Sequence, residues 1–495
     1  MYWWEHVAHN EELTPVPPEE WNPVALLDVT SPDQYTIKFH FNKPNPTRHQ
    51  EFHIWCWWGV TQPKHYMKQF HPDFVDQEEL EKKADEVGLD TWFEYYQRMN
   101  SETHPDRARP TLRPYVAVER TETYLLAERN PYYPFVDSEG NQLPYIDKLR
   151  VNLANGKEMI NTKAATGEAT IAGHNTKTVD IPLYKRNEAK EDYKTFIYNG
   201  GRGSALALMF NLTHPEKAIR DIFQNLKFRQ AISLSINRDN INKKIFHGMG
   251  VPRQATVLPT STYFEPEFAE AYADYNPDKA RQMLDEMGMK DVNNDGFRER
   301  PDGELFSPQI TYCDHEGPRT AVLELIRTDL SEIGINVELK MISRELMVQR
   351  RSGNNFDIGE WHIDRVADVL MARSPAKTFA PTMPNSANAF SPWPAWINWY
   401  NTNGKEGMEP PAKVKEVINY HEKMIYSTNE EERTTAGKEL IKAQAENLWT
   451  IGTVGMIPWP IIVSEKLKNV PEKGLFSDDV QRLDPLYPIQ FYLEE

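Results

Sequence analysis

The stretch that decides the fold class runs Gln309-Ile-Thr-Tyr-Cys313, then Thr320 to Ile333 closed by Gly334, then Ile335-Asn-Val-Glu-Leu-Lys-Met341. The first run is apolar and of strand length. The second has helical length and ends at a glycine, the residue that best tolerates the left-handed conformation behind a helix. In the third, Ile335, Val337, Leu339 and Met341 alternate with Asn336, Glu338 and Lys340, the two-residue period of a half-buried strand. Strand, helix and strand of these lengths make a βαβ crossover, so this part of the chain is expected to be α/β.

Working outward, Asn276-Pro-Asp-Lys-Ala280 reads as a helix start, with Asn276 as cap and Pro277 at the first helical position. Ala280, Met283, Leu284 and Met287 form its apolar face, and Gly288 ends it. Downstream, residues 411–426 and 430–447 are expected as two amphipathic helices, with Trp449–Val463 returning as a buried strand pair. Upstream, Tyr35, Ile37, Phe39 and Phe41 alternate with polar residues, and Asp76–Val87 reads as a charged helix. Tyr115–Arg120 and Tyr124–Arg129 read as strands around a turn, and a short strand is expected near Ala169–Ala172.

The chain has 495 residues, too many for one core, which predicts two or more domains. Acidic residues outnumber basic ones by 73 to 56, a net charge of −17. No block of Lys and Arg stands out, which argues against a nucleic-acid partner. The most apolar stretch, Trp449–Val463, is too short and too broken by Pro458 and Pro460 to span a bilayer as a helix. Two cysteines, Cys56 and Cys313, exclude a disulfide scaffold and a cysteine-based zinc site. The opening Met1-Tyr-Trp-Trp-Glu-His has no basic region followed by an apolar one, so no signal peptide is read in it.

Several segments resemble, in order and spacing, the extracellular solute-binding proteins of family 5. They are Arg129-Asn-Pro-Tyr-Tyr, Gly140-Asn-Gln-Leu-Pro-Tyr-Ile-Asp147, Phe210-Asn-Leu, Phe228-Arg-Gln-Ala-Ile-Ser-Leu-Ser-Ile-Asn-Arg238, Gly248-Met-Gly-Val-Pro252, Asn276-Pro-Asp-Lys-Ala280 and Ile333-Gly-Ile-Asn-Val337. The resemblance implies a two-lobed α/β receptor of the periplasmic-binding type II architecture with an extra subdomain. Residues 1–207 would then be the remainder of lobe I, 208–460 lobe II, and 461–495 a return to lobe I. It further implies a monomer that captures peptides or oligosaccharides outside the cytoplasm and presents them to an ABC permease and its ATPase. No cofactor and no catalysis are expected. Crossings between lobes are expected near Leu206–Asn211 and Pro458–Val463. Measured against the family pattern, the chain starts inside lobe I, which predicts an N-terminal truncation.

Candidate ligand contacts follow. In peptide-binding relatives a Trp-x-x-Asp like Trp361-His-Ile-Asp364 supplies the acid for a peptide ammonium, a chemistry that suits a partly buried cation. The alternative is an internal contact of Asp364 with the adjacent Arg365. Trp393, Trp396 and Trp399 offer flat faces for sugar rings or peptide side chains, against ordinary core packing. The same choice holds for Trp55, Trp57 and Trp58. Asn211, expected at the first crossing, either bonds ligand or ties the hinge backbone. Asp291-Val-Asn293-Asn-Asp295-Gly296 resembles the start of a calcium loop, but position twelve is Asp302 where a Glu is needed, so a hairpin loop is the competing reading. Gly200-Gly-Arg-Gly203 lacks the Lys-Ser/Thr of a phosphate loop, and no Gly-x-Ser-x-Gly elbow occurs. The competing functional classes are an extracellular glycoside hydrolase, for which no carboxylate pair stands out, and a truncated, non-functional receptor fragment.

Overall fold

The Gln309–Met341 stretch forms one side of a five-stranded sheet in the computed structural model, which describes residues 1–15, 26–50, 61–314, 317–373, 381, 392–480 and 488–494. Trp55, Cys56, Trp57 and Trp58 lie outside the described residues. The strand order is Glu338–Met341, Gln309–Tyr312, Ile358–Ile363, Ser204–Phe210, Thr450–Gly452. Gln309↔Glu338 through Tyr312↔Met341 pair in parallel, joined by the helix Arg319–Glu332. Val322, Leu323, Ile326 and Leu330 of that helix are buried on one face, the stripe that packs it on the sheet. Gly334 follows at φ 80°. The expected alternation holds at its start, where Ile335 and Val337 are buried, and fails at Met341, which is 60% exposed because this strand is the sheet edge.

Ile358–Ile363 is buried at every residue and pairs in parallel with Gln309–Tyr312 and antiparallel with Ser204–Phe210. A second sheet has four strands, in the order Leu475–Phe476, Tyr193–Gly200, Trp459–Ser464, Ile171–Ala172. The Trp449–Val463 segment is therefore not a strand pair. Thr450–Gly452 joins the first sheet beside Ser204–Phe210, whereas Trp459–Ser464 joins the second beside Tyr193–Gly200. An apolar run buried on both faces reads alike in either sheet, so the pattern could not assign the partner.

The two passages between sheets are thus residues 201–203 and 456–458. Leu206–Asn211, expected as a crossing, instead lies within and just behind the Ser204–Phe210 strand, and the second crossing falls at the start of its expected range. The passages lie side by side: the Met456 amide donates to the Arg202 carbonyl at 2.8 Å. A Cβ on Gly200 would stand 1.9 Å from the Ile457 carbonyl oxygen, and one on Gly203 2.2 Å from that of Thr256. A Cβ on Gly455 would meet the Gly203 carbonyl oxygen at 2.3 Å. The glycine cluster exists for close backbone approach.

The remaining expectations are met closely. Asn276 caps Pro277–Glu286 by accepting from the Lys279 amide. Ala412–Tyr426 and Glu430–Asn447 are helices, and Asp76 caps Gln77–Glu86. Tyr115–Arg120, Tyr124–Arg129 and Lys148–Asn152 make a three-stranded antiparallel sheet. Of the alternating Tyr35–Phe41 run, Lys38–Phe41 is strand, paired antiparallel with Leu26–Thr30, while Tyr35 and Ile37 lie outside it and are exposed.

Two buried arginines explain the Phe228–Arg238 motif. Arg229 donates to the carbonyls of Asn447 and Phe223. Arg238 donates to the carbonyls of Gly452, Ser233 and Ala273 and to the Ser233 hydroxyl. These bonds tie the Leu226–Ser235 helix to the Thr450–Gly452 strand. Burial pushes the Arg238 guanidinium down to about 10.

Replacing Arg238 with Met leaves those buried carbonyls without their donors and should cost on the order of 3 kcal/mol. Urea unfolding monitored by tryptophan fluorescence measures it, and an unchanged midpoint would refute the tie. Gly203→Ala must push the Thr256 backbone aside and should cost about 1–3 kcal/mol in the same assay.

Candidate functional site

A cleft lies between the two sheets, beside both passages. Its first wall comes from the four-stranded sheet. The Trp459 and Phe476 rings are stacked there, with centroids 4.0 Å apart and planes 1° from parallel. The loop Gly173–Thr178 is fastened to the same wall. Thr176 and Thr178 donate to the carbonyls of Pro460 and Pro458 at 2.7 Å, and Trp459 Nε1 donates to Gly173 O. Lys177, paired with Glu158, stands between the two threonines.

The opposite wall is the start of the Arg319–Glu332 helix, with Gly317, Pro318, Arg319 and Val322. Arg319 follows the carboxyl end of Gln309–Tyr312, and Asp364 follows that of Ile358–Ile363. Carboxyl ends of strands are where open α/β sheets place their ligands. Among the described lining residues there are three cations, Lys177, Arg202 and Arg319, and no carboxylate.

Arg319 is 3% exposed and is held on several sides. It pairs with the fully buried Glu360, lies 4.9 Å above the Trp361 ring, and donates from Nη2 to His362 Nδ1 at 2.9 Å. Arginine can only donate, so His362 Nδ1 accepts and its proton sits on Nε2. That nitrogen faces Asp364 Oδ2 at 3.3 Å. Glu360, Arg319, His362 and Asp364 form one chain of contacts from the interior to a partly exposed carboxylate. Arg351, also buried, donates to the Glu360 carbonyl, and burial pushes its guanidinium down to about 10.

Among the described residues, none of the residues expected to touch ligand lines this cleft. Trp361 lies within the strand Ile358–Ile363, under the Arg319 and Arg344 guanidiniums, and Asp364 reaches the cleft only through His362 and Arg319. Trp393 and Trp396 are core, at 0% and 1% exposure. Residues 394–399 fall in a helix, Pro394–Asn401, with Pro394 at its first position, where a missing amide costs nothing. Trp399 is half-buried beneath Lys415. Asn211 is fully buried and ties backbone: its Nδ2 donates to Phe356 O and Asn354 Oδ1, and its Oδ1 accepts from the Thr213 amide.

In the acidic loop, Asp291 accepts from the amides of Asp295 and Gly296, Asn293 from that of Asp295, and Asp295 from that of Phe297. These oxygens bond the backbone amides of the turn itself. The backbone bridge between Glu299 and Leu305 continues it as a hairpin.

Sequence reasoning missed Arg319, Arg202, Lys177, Trp459 and Phe476. Only Arg319 carried a local signal, its place at a helix start behind a parallel strand; the others are brought together by the crossing of the sheets.

Known proteins give the arrangement its context. The model of bacterial extracellular solute-binding proteins, family 5 (middle), matches residues 1–369. The periplasmic alpha-galactoside-binding protein of Rhizobium meliloti is 23% identical over 95% of this chain, and the chain spans 65% of that protein's length. The solved oligopeptide-binding protein OppA is 32% identical, with a TM-score of 0.73 over 100% of this chain and 79% of its own. The periplasmic binding protein MelB of Agrobacterium fabrum, solved with stachyose, is 20% identical with a TM-score of 0.70, over 96% of this chain and 68% of its own. The two sheets joined by paired passages are the two lobes of this architecture, and the chain belongs to the family 5 bacterial extracellular solute-binding proteins.

Proposed function

We propose that this chain captures a short oligomeric solute in the cleft between its sheets, outside the cytoplasm, and hands it to an ABC permease driven by its ATPase. The carrying observation is that cleft: two walls on separate sheets, with the described chain passing between those sheets beside it, at residues 201–203 and 456–458. Such a site closes by a hinge that changes a few backbone torsions, and differential affinity for the closed form drives the change. The protein works as a monomer in this reading and needs no catalytic group. A hydrolase would need paired carboxylates facing the ligand, whereas the described lining has cations only.

Lys177, Arg202 and Arg319 favour a ligand with an anionic end, as a peptide has in its terminal carboxylate. A short peptide is therefore the preferred solute. The Trp459 ring in the lining favours the second reading, an oligosaccharide, and both classes occur in the names of the similar proteins.

Thermal unfolding of the purified chain against short peptides and α- and β-linked oligosaccharides separates these readings. A ligand at about 100 times its Kd stabilises the native state by about 2.7 kcal/mol. Peptide acids should raise the melting temperature, and the same peptides as C-terminal amides should do so less. A shift with sugars alone selects the saccharide, and no shift with either refutes solute capture by this chain. Arg202→Met should weaken peptide acids about tenfold, roughly 1.4 kcal/mol, while leaving amides nearly unchanged in isothermal titration.

A further inference from the structure

We propose that His6, His71 and Asp73 form a zinc-binding clamp in the N-terminal aromatic region, apart from the cleft. The ligand atoms of the three side chains lie within 4.8 Å of one another. His6 Nδ1 is 2.6 Å and His71 Nδ1 3.7 Å from Asp73 Oδ2. Two imidazoles and a carboxylate with room for water are a donor set that suits Zn²⁺.

The surroundings orient the His71 ring as zinc ligation requires. His71 Nε2 is 2.8 Å from the His6 carbonyl oxygen, so it carries the proton and Nδ1 presents a lone pair toward Asp73. That lone pair accepts from the Asp73 amide, and Asp73 Oδ2 stands 3.7 Å from the same nitrogen. The other nitrogen of His6, Nε2, stands 3.8 Å from the Glu5 carboxylate. A metal-bound histidine characteristically directs its second nitrogen at a carbonyl or carboxylate, as His71 does here.

His71 is fully buried, between the Trp92 and Tyr96 rings at 5.5 and 5.8 Å. Its position is therefore fixed by packing. The Asp73 side chain is 52% exposed, which leaves an entry path and a face for water. The Asp73 amide reaches His71 Nδ1 at 3.2 Å, the contact that the metal replaces. Binding is written as replacement of the proton shared by His6 and Asp73 with the dication, the proton leaving to solvent. The clamp would join the Trp3–Val7 helical segment to the Phe70–Val75 turn, two segments far apart in sequence.

The test is isothermal titration of the EDTA-treated, dialysed chain with Zn²⁺ alone, paired with thermal unfolding. The expected result is one strong site and a rise in melting temperature on zinc addition. Asp73→Asn and His6→Gln should each weaken that site by more than about 100-fold, beyond the 10–100-fold of a lost outer partner, and remove the thermal shift. His9→Gln, whose ring Nδ1 meets the Trp4 carbonyl instead, should keep both. Absence of a strong site in the parent chain, or its survival in Asp73→Asn and His6→Gln, overturns the proposal. Solute binding in the cleft is measured separately and does not bear on this result.

Discussion

Backbone meets backbone where the chain passes between its two sheets, and the architecture rests on that contact. Gly200, Gly203 and Gly455 sit where any Cβ would collide with a carbonyl oxygen or its neighbours. Larger residues would force the passages apart, and the sheets would lose their common edge beside the cleft. These glycines serve packing, since none of the three has a positive φ. Met456 supplies the left-handed turn instead, at φ 50°. A narrow double passage gives a defined axis, because only the few torsions within it can change without disturbing a sheet. Capture of a solute needs such an axis, and a single flexible linker would not provide one.

The second organising feature is a buried charge. Arg319 and Glu360 are both removed from water, and desolvation of such a pair can exceed its Coulombic gain. Their neighbours offset this: His362 accepts from the guanidinium, the Trp361 face covers it, and Arg351 adds a second positive charge near Glu360. Deleting one partner of a buried pair typically costs 3–5 kcal/mol. An exposed pair such as Lys83 with Glu79 contributes no more than about 1 kcal/mol. The orientation of Arg319 at the cleft is therefore set from behind, by Glu360, Trp361 and His362.

Much of the fold was legible because its signals are local. The βαβ unit showed in the change from helical to two-residue periodicity, and Asn276 and Gly334 marked helix boundaries by cap and by positive φ. Strand partnership was not legible. Trp449–Val463 reads as a buried strand pair, yet its two halves serve different sheets, because burial on both faces erases the alternation that would show the face. The site was less legible still. Trp393 and Trp396 are chemically suited to sugars and lie in the core, where aromatic area is worth most. Asn211 looked like a contact residue and instead satisfies buried backbone. The cleft residues come from places as far apart as Thr176, Arg202, Arg319 and Trp459, and no spacing rule joins them.

Net charge hid the character of the site as well. A chain at −17 would be expected to repel an anionic solute. That repulsion is screened beyond about 8 Å at physiological ionic strength, and most carboxylates lie farther than this from any one point of the cleft surface on a molecule this size. The charged side chains of the described lining are three cations, two of them paired with carboxylates outside the lining, Lys177 with Glu158 and Arg319 with Glu360. Low-dielectric walls strengthen such close charges relative to distant ones. The acidic exterior then acts on solubility, while Lys177, Arg202 and Arg319 are the cations that the proposed recognition would use. Asp364 lies outside the described lining of the cleft and, linked to Arg319 through His362, belongs to the chain of contacts that holds one of the three cations.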